Sequence, residues 1–600
     1  MAFRFRIDLC FAFVSILVLA ECYLHLYRNV RDSGEDLLQR RLSLRARWDE
    51  MCRPHYAVRE ELVRPSRHVS SLRDSITPTT ESVLFPDWEV LIIVSPEGEV
   101  SSESGEDYQC VFHNNATSPA RPAWVFPFTK RRTFKCVIPR RIRRFRPYFQ
   151  PALTRAAPAK QREIHSFTRE LFRWTFLAYE SLSTQNDVVL FVKGVNNRQG
   201  VNRSPSQLRC VFGNDATIAV RTAVTTSSQE VFRCRHPDLR ALSHGEIENE
   251  RIKISLEISD ENRVVPSVAY YTPMRTVATL EPKSQLCAST MIYNAAKFLK
   301  EWVVYHSRIG VEKFILYDNG SDDELQTIVE ELNQDGFNVK TVLWPWPKTQ
   351  EAGFSHSAIY AKDTCKWMMY VDVDEFVFSP TWLNSSTPST KMLFSLLPNK
   401  PTSNVGQILI RCNEFGPSNQ HSHPVHGVTQ GYTCRRRAEQ RHKSVVLLEA
   451  VDSSLVNAVH HFGLKEGFNG KRLSLSQGVV NHYKYQAWSE FKAKFRRRVS
   501  AYVVDWTDEA NPTSKDRAPG LGFLPIEPKG WARKFCEVND ERLKMVTQRW
   551  FAIPWTSENK MAWEKWGRRG TLAHFLSIFF FRLVFCIEVD WYTRKEGGNN

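Results

Sequence analysis

From about residue 280 the chain alternates short apolar runs with segments of helical spacing. Residues 287–293 read as a strand. Between residues 295 and 309, Phe298, Trp302, Tyr305 and Ile309 recur at helical intervals and share one face, and Gly310 ends the run. A strand at 313–317, a helix at 323–335, a strand at 339–343, a helix at 356–365 and a strand at 367–373 follow. This βα alternation predicts an α/β domain with a mainly parallel, doubly wound sheet, spanning about 280–550. The pattern continues through a strand at 406–412 and a helical segment at 487–500.

Upstream, residues 85–272 carry β-branched and aromatic runs between Gly, Pro, Asn and Ser, as at 90–94, 188–192 and 252–258. They predict a β-rich, sandwich-like accessory domain. It contains an internal repeat. Cys110-Val-Phe-His-Asn-Asn-Ala-Thr117 recurs as Cys210-Val-Phe-Gly-Asn-Asp-Ala-Thr217, and each is followed by Phe-basic-Cys, ending at Cys136 and Cys234. Two copies of a strand–loop–strand unit are expected, closed by disulfides Cys110–Cys136 and Cys210–Cys234. Between them, residues 130–146 hold nine Lys or Arg in seventeen. They form either a solvated face or a groove for an acidic polymer, with Phe134, Phe145 and Tyr148 available for stacking on sugar rings.

Six hundred residues with a net charge of +16 imply several domains and a partner that is nucleic acid, membrane surface or acidic polysaccharide. The N-terminus selects among these. Arg4 and Arg6 precede an apolar run from Leu9 to Ala20, which favours an uncleaved signal anchor at 1–28 over a cleaved leader, with the N-terminus cytosolic. Residues 29–84 then read as a stem, and 551–600 as a tail whose apolar stretch at 575–587 suits a packed or membrane-surface helix. Asn115 and Asn384 head glycosylation sequons. The thirteen cysteines suit an oxidising lumen.

The candidate chemistry lies at two strand ends. Met368-Met369-Tyr370-Val371 runs into Asp372-Val373-Asp374-Glu375. Residues i and i+2 of a strand point the same way, so Asp372 and Asp374 can share one hard cation, Mg²⁺ or Mn²⁺. Tyr317-Asp318-Asn319-Gly320-Ser321-Asp322-Asp323 puts a carboxylate and an amide at another strand end, which suits a nucleotide base or ribose.

These motifs resemble glycosyltransferase family 92. The resemblance is carried by Tyr293-Asn294, Glu301-Trp302, Tyr305-His306, Ile309-Gly310, residues 317–323, Lys348 to His356, Asp372 to Phe376, Phe415-Gly416 and Asn481-His482-Tyr483. It covers roughly 280–510. It implies a GT-A-like, Rossmann-type catalytic domain and a Golgi type II membrane enzyme. It implies galactose transfer from UDP-galactose to a cell-wall β-1,4-galactan, a pectin side chain, with inversion, and a β-rich carbohydrate-binding domain before the catalytic one. It also implies that Asp374, Asp372 and His482 hold Mn²⁺ or Mg²⁺. The nucleotide sugar would be bound by Asn294, Glu301, Asp318, Asn319, Glu375 and Lys443, and Glu414 would act as base. Ala295 departs from the family pattern, where Glu is frequent, and removes one nucleotide contact. Another UDP-sugar or acceptor, a catalytically silent glycan-binding protein, and a homodimer stay open. A metal-dependent nuclease is disfavoured by the secretory leader, so no nucleic-acid partner is expected.

Overall fold

The computed structural model describes residues 80–94, 108–155, 169–196, 201–215, 218–238, 240, 252–271, 282–398, 403–458, 460–493, 527–553 and 560–567. The leader, nearly all of the stem and the apolar stretch at 575–587 lie outside them. Among the described residues no helix is long and apolar enough to cross a membrane.

Strands β1 (Thr80–Leu84), β2 (Glu89–Val94), β3 (Tyr108–Phe112), β4 (Ala116–Val125), β5 (Arg132–Val137) and β6 (Ala152–Arg155) pair in the order β6-β3-β4-β5-β2-β1, and β7 (Phe172–Arg173) adds to β1. Strands β8 (Leu177–Ser183), β9 (Val188–Lys193), β10 (Leu208–Phe212), β11 (Val220–Ser228), β12 (Val231–Cys234) and β13 (Ile252–Ile258) repeat it as β13-β10-β11-β12-β9-β8, with β14 (Arg263–Val264) and β15 (Tyr270–Tyr271) beside β13. The repeat therefore spans six strands, more than the strand–loop–strand unit read from the cysteines.

Both expected disulfides are present, and they report the shape of each copy. Cys110–Cys136 joins β3 to β5 and Cys210–Cys234 joins β10 to β12, with Cα atoms 6.5 and 5.9 Å apart. One strand lies between each bridged pair. Strands two apart in a flat sheet are separated by roughly 9.5 Å, twice the ordinary spacing, so each sheet must curl over its own face. Val90, Ile92, Phe112 and Phe134 fill the first curl, and Leu190, Phe212, Phe232 and Leu256 the second. The expected single sandwich is thus two small curled sheets. Phe134 is core and unavailable for sugar stacking, and Tyr148 leans on Trp88. Phe145, by contrast, is 61% exposed.

The second face of each curled sheet is also buried. Leu91 and Ile93 from one copy, and Val189 and Phe191 from the other, pack with Tyr317, Trp344, Trp346 and Phe354 of the C-terminal half. Trp174 stacks on Trp346 at 5.8 Å between ring centroids. The accessory copies and the C-terminal sheet therefore share a core inside one compact unit.

In that half, β16 (Ser284–Ile292), β17 (Lys313–Asp318), β18 (Val339–Leu343) and β19 (Cys365–Tyr370) form a parallel block ordered β18-β17-β16-β19. Helices α1 (Ala296–Ile309), α2 (Leu325–Gln334) and α3 (Gln350–Tyr360) connect them. Helix α3 starts six residues before the expected position. Gly353 lies inside it, against Met291 and the Trp344 indole. The strand order reverses between β16 and β19, which makes the carboxyl ends of those strands a topological switch point.

The parallel pattern stops at β19, so the sheet is mixed rather than mainly parallel. The chain leaves β19 without a crossover helix and returns as β20 (Glu375–Phe378) at the far edge. The sheet continues from β19 through β23 (Gln440–Leu447), β21 (Val405–Glu414) and β27 (Val479–His482) to β20, with antiparallel pairing except between β21 and β27. Strand β26 (Asn469–Arg472) lies beside β21. Two ribbons, β22 (Cys434–Arg435) with β28 (Val538–Asn539) and β24 (Asn457–Ala458) with β25 (His461–Phe462), and helices α4 (Val428–Gly431) and α5 (Arg542–Phe551), belong to the same half. Two further disulfides, Cys287–Cys365 and Cys434–Cys536, have no counterpart among the sequence expectations.

Candidate active site

The loop after β19 delivers Asp372 and Asp374, and Glu375 opens β20. Lys443 of β23 reaches in from the neighbouring strand. Its Nζ lies 2.9 Å from Asp372 Oδ2 and 2.9 Å from Glu375 Oε1. It also donates to His460 Nε2 at 2.6 Å, since an ammonium only donates. Gln350, the first residue of α3, donates to Asp372 Oδ1 at 3.1 Å. The loop is closed on itself by Asp372 N–H donating to Glu375 Oε2 at 2.9 Å.

Charge explains the ionisation of these groups. Burial alone would raise the Asp372 carboxyl, but the ammonium of Lys443 outweighs it and holds the group down to about 2. Burial pushes Glu375 up, against the pull of the same lysine. Lys443 is raised by Asp372 and Glu375 despite its own burial and stays protonated. Burial takes His460 down to about 3, so its imidazole is neutral at pH 7. Lys443 thus pairs with two carboxyls, and the third, Asp374, lies beside His482 instead, an arrangement that favours an added cation.

Register places the remaining groups. Glu375 pairs with His482 across β20 and β27, and His482 with Glu414 across β27 and β21. Paired residues point to the same face, which lines up acid, imidazole and acid. His482 Nε2 lies 3.5 Å from Asp374 Oδ2, and its Nδ1 lies 3.3 Å from Glu375 Oε1. Neighbouring ligands of an octahedral cation with bonds of roughly 2.1 Å sit roughly 3 Å apart. Asp374 and His482 therefore fit two positions on one ion. Both Asp372 oxygens are engaged elsewhere, which makes Asp372 a support. Among the described residues no group of three or more His, Cys, Asp or Glu has metal-site geometry, so phosphate and water oxygens would supply the rest.

Several expected contacts have other tasks. Glu301 is buried on α1 and accepts from Val428 N at 2.7 Å, Thr429 N at 3.0 Å and Thr429 Oγ1 at 2.6 Å, capping α4. Burial raises its carboxyl to about 7, and these partners all lie within the protein. Lys443 spends its charge on carboxylates rather than phosphate. Asn319 gives its NH₂ to the carbonyls of Trp344 and Trp346, at 2.6 and 2.9 Å, tying the end of β17 to the loop after β18. Asn294 braces that same strand end: its side chain donates to Asp322 Oδ1 and accepts from Asp322 N at 2.9 Å. Asp318 Oδ1 accepts from Gly320 N and Ser321 N at 3.2 and 2.8 Å, which shapes loop 318–323.

Glu414 is buried and doubly paired. Lys484 bonds one oxygen, while Arg436 at 3.4 Å and Tyr485 at 3.3 Å meet the other. In this arrangement Glu414 anchors two cations. Sequence reasoning missed Gln350 and His460 as site residues. Gln350 sits inside the quoted 348–356 motif, but His460 carried no signal beyond its neighbour His461. Sequons Asn115 and Asn384 are both exposed.

The model of glycosyltransferase family 92 matches residues 283–518. A family 92 protein of Arabidopsis thaliana is 43% identical over 66% of this chain and 70% of its own length. One from Ricinus communis is 42% identical over 65% and 69%, and one from Oryza sativa 41% identical over 64% and 68%. Among solved structures, Staphylococcus aureus TarS 1–349 is 12% identical over 36% of this chain and 66% of that one, with a TM-score of 0.21. Glucosyl-3-phosphoglycerate synthase from Mycobacterium tuberculosis is 11% identical over 36% and 77%, with a TM-score of 0.20. Likenesses that small decide nothing about this chain. The sequence relatives and the family model suffice: the chain belongs to glycosyltransferase family 92 and is a glycosyltransferase.

Proposed function

We propose that the chain moves galactose from UDP-galactose to a β-1,4-galactan of the cell wall with inversion, as a GT-A-like enzyme anchored in the Golgi membrane. Mn²⁺ or Mg²⁺ would be held at Asp374 and His482. The observation that carries the reading is the cluster of Asp372, Asp374 and Glu375 at the switch point between β16 and β19, with His482 beside Asp374, the more buried of the two aspartates. A divalent ion there would neutralise charge on the departing diphosphate. The chain's own residues do the rest. Lys443, Gln350 and His460 hold Asp372 in one orientation, and Glu375 Oε1 stands 3.3 Å from His482 Nδ1. Loop 318–323, braced by Asn294 and Asn319, offers the nucleotide end a rigid edge. An inverting displacement needs a carboxylate to take the acceptor proton. Glu414 can serve only when released by Lys484 and Arg436, and Glu351, next to Gln350 in α3, is the alternative. The test is UDP release by the purified chain from a panel of UDP-sugars with Mn²⁺, with and without galactan. Galactan-stimulated release from UDP-galactose above all other donors is expected. Equal release with and without galactan, or preference for another donor, refutes the specificity.

A further inference from the structure

The two accessory copies meet the catalytic half through the ends of corresponding hairpins, and both ends land on segments that build the site. In the first copy, β4 carries Trp124 onto loop 318–323. Gly320 is buried beneath the indole at φ 84°. A Cβ there would lie 2.9 Å from Trp124 Cη2 and overlap the ring edge, and only glycine combines that backbone with that approach. Trp124 is half-buried, and Thr133 Oγ1 holds its backbone at both N–H and carbonyl, 2.8 Å each. Lys135 places its ammonium 4.4 Å from the ring centroid. In the second copy, Gln229 exchanges hydrogen bonds of 2.8 and 3.2 Å with the backbone of Asn457. The Asn457 amide holds Glu351 O and Ser355 Oγ, both at 2.9 Å, three residues before His460.

We propose that Trp124 is a donor-binding residue: the first accessory copy supplies the outer wall of the nucleotide end of the cleft. The inference rests on the UDP-sugar reading above. Loop 318–323 edges the strand ends where open α/β sheets take nucleotides, but the Asn319 NH₂, the Asn294 amide and one Asp318 oxygen are spent inside the protein. A part-exposed indole supplies a planar apolar surface for a pyrimidine, and the Lys135 ammonium that lies against it is ion-paired with Glu89 Oε1 at 3.0 Å. The second accessory copy offers no aromatic at its hairpin end, where Gln229 stands, so the curled sheet itself does not require Trp124.

The test uses the full chain and UDP with Mn²⁺ as the probe, comparing wild type with Trp124→Ala, Trp124→Phe and Gly320→Ala. Stacking on an aromatic supplies enough affinity that Trp124→Ala should weaken UDP binding roughly tenfold to a hundredfold. Trp124→Phe should recover most of it, and Gly320→Ala, which pushes the indole away, should resemble Trp124→Ala. In turnover, KM for the donor rises while KM for galactan and kcat at saturating donor change little. Unchanged UDP affinity in Trp124→Ala, with wild type binding UDP, overturns this inference and leaves the transferase reading intact. Equal losses in Trp124→Ala and Trp124→Phe with a collapsed melting transition reduce Trp124 to packing and overturn it too. A folded wild type that binds no UDP overturns both.

Discussion

Lys443→Met is the perturbation that tests the electrostatics of the site most directly. Methionine keeps most of the apolar stem and removes the charge together with the N–H donors to Asp372 and His460. Lys443 is 8% exposed and Glu375 fully buried, with Asp372 28% exposed beside them. Removing one partner of such a pair leaves buried charge uncompensated and costs about 3–5 kcal/mol. For a cooperative unit of roughly 500 residues, with an unfolding entropy of roughly 2.1 cal/mol/K per residue, that is a fall in Tm of about 3–5 °C at pH 7. The pH dependence has a definite sign. In the wild type, Asp372 titrates at about 2, below its unfolded value near 3.9. It therefore adds stability that is present above pH 4 and lost as pH falls toward 2. Without Lys443, burial raises Asp372 and Glu375 above their unfolded values, so the variant gains stability as acid neutralises them. Thermal melts from pH 8 to pH 4 should show the gap narrowing on acidification. Equal Tm values at pH 7, or a gap constant across that range, would refute the reasoning.

Asp374→Ala should abolish transfer while Tm stays within a few degrees of wild type, because the carboxylate sits at a strand end beside His482 rather than in the apolar core. Full activity of that variant, or of the wild type in excess EDTA, would end the metal-dependent reading. Replacing both Cys287 and Cys365 by serine opens a loop of 78 residues between the two switch-point strands, a loss of about 4–5 kcal/mol on the chain-entropy model. Peptide mapping that finds either thiol free in the wild type would remove its basis. A chain beginning at residue 282 should fail to yield soluble, cooperatively melting protein; a folded 282–600 would show the accessory copies to be dispensable.

Much of the fold was legible because it follows from periodicity. Helix α1 declares itself by Phe298, Trp302, Tyr305 and Ile309, and all four are buried on its inner face. Strand β18 begins and ends at the expected residues. The antiparallel half was not legible, since local pattern does not say which edge a strand joins, and β20 follows β19 directly in sequence yet pairs with β27. At the site, the strand-end carboxylates announced themselves by following an apolar run. Their partners were less legible: Lys443 reads as a contact for the nucleotide sugar rather than for Asp372, and His460 not as a site residue at all, because both meet Asp372 only through tertiary packing. Glu301 shows the same limit from the other side. A carboxylate within a motif reads as a ligand contact, and here it caps a buried four-residue helix, a task set by Val428 and Thr429 far along the chain.

The accessory copies hold a clue that periodicity already contained. A sheet exposed on one face alternates apolar and polar residues, whereas one covered on both reads as a continuous apolar run. Val90-Leu91-Ile92-Ile93-Val94 and Val188-Val189-Leu190-Phe191-Val192 are continuous. Alternate residues divide between the curled sheet's own core and the core shared with the catalytic sheet. Eight side chains on the shared side (Val83, Leu91, Ile93, Trp174, Leu177, Tyr179, Val189 and Phe191) contribute roughly 1.5–3 kcal/mol each by burial. Their sum exceeds 10 kcal/mol, comparable with the roughly 5–15 kcal/mol that stabilises a whole folded protein. Separation would forfeit that burial, so residues 85–272 are not a free binding module on a tether. A polymer held by the basic segment at 130–146 would then sit at a fixed distance from the cleft. A flexible tether spreads the gain in effective concentration over many acceptor lengths. A rigid separation gives no gain until the acceptor spans it and the full gain beyond. Activity against galactan length should accordingly rise in a step, and that step should vanish when Arg140, Arg141, Arg144 and Phe145 are replaced together.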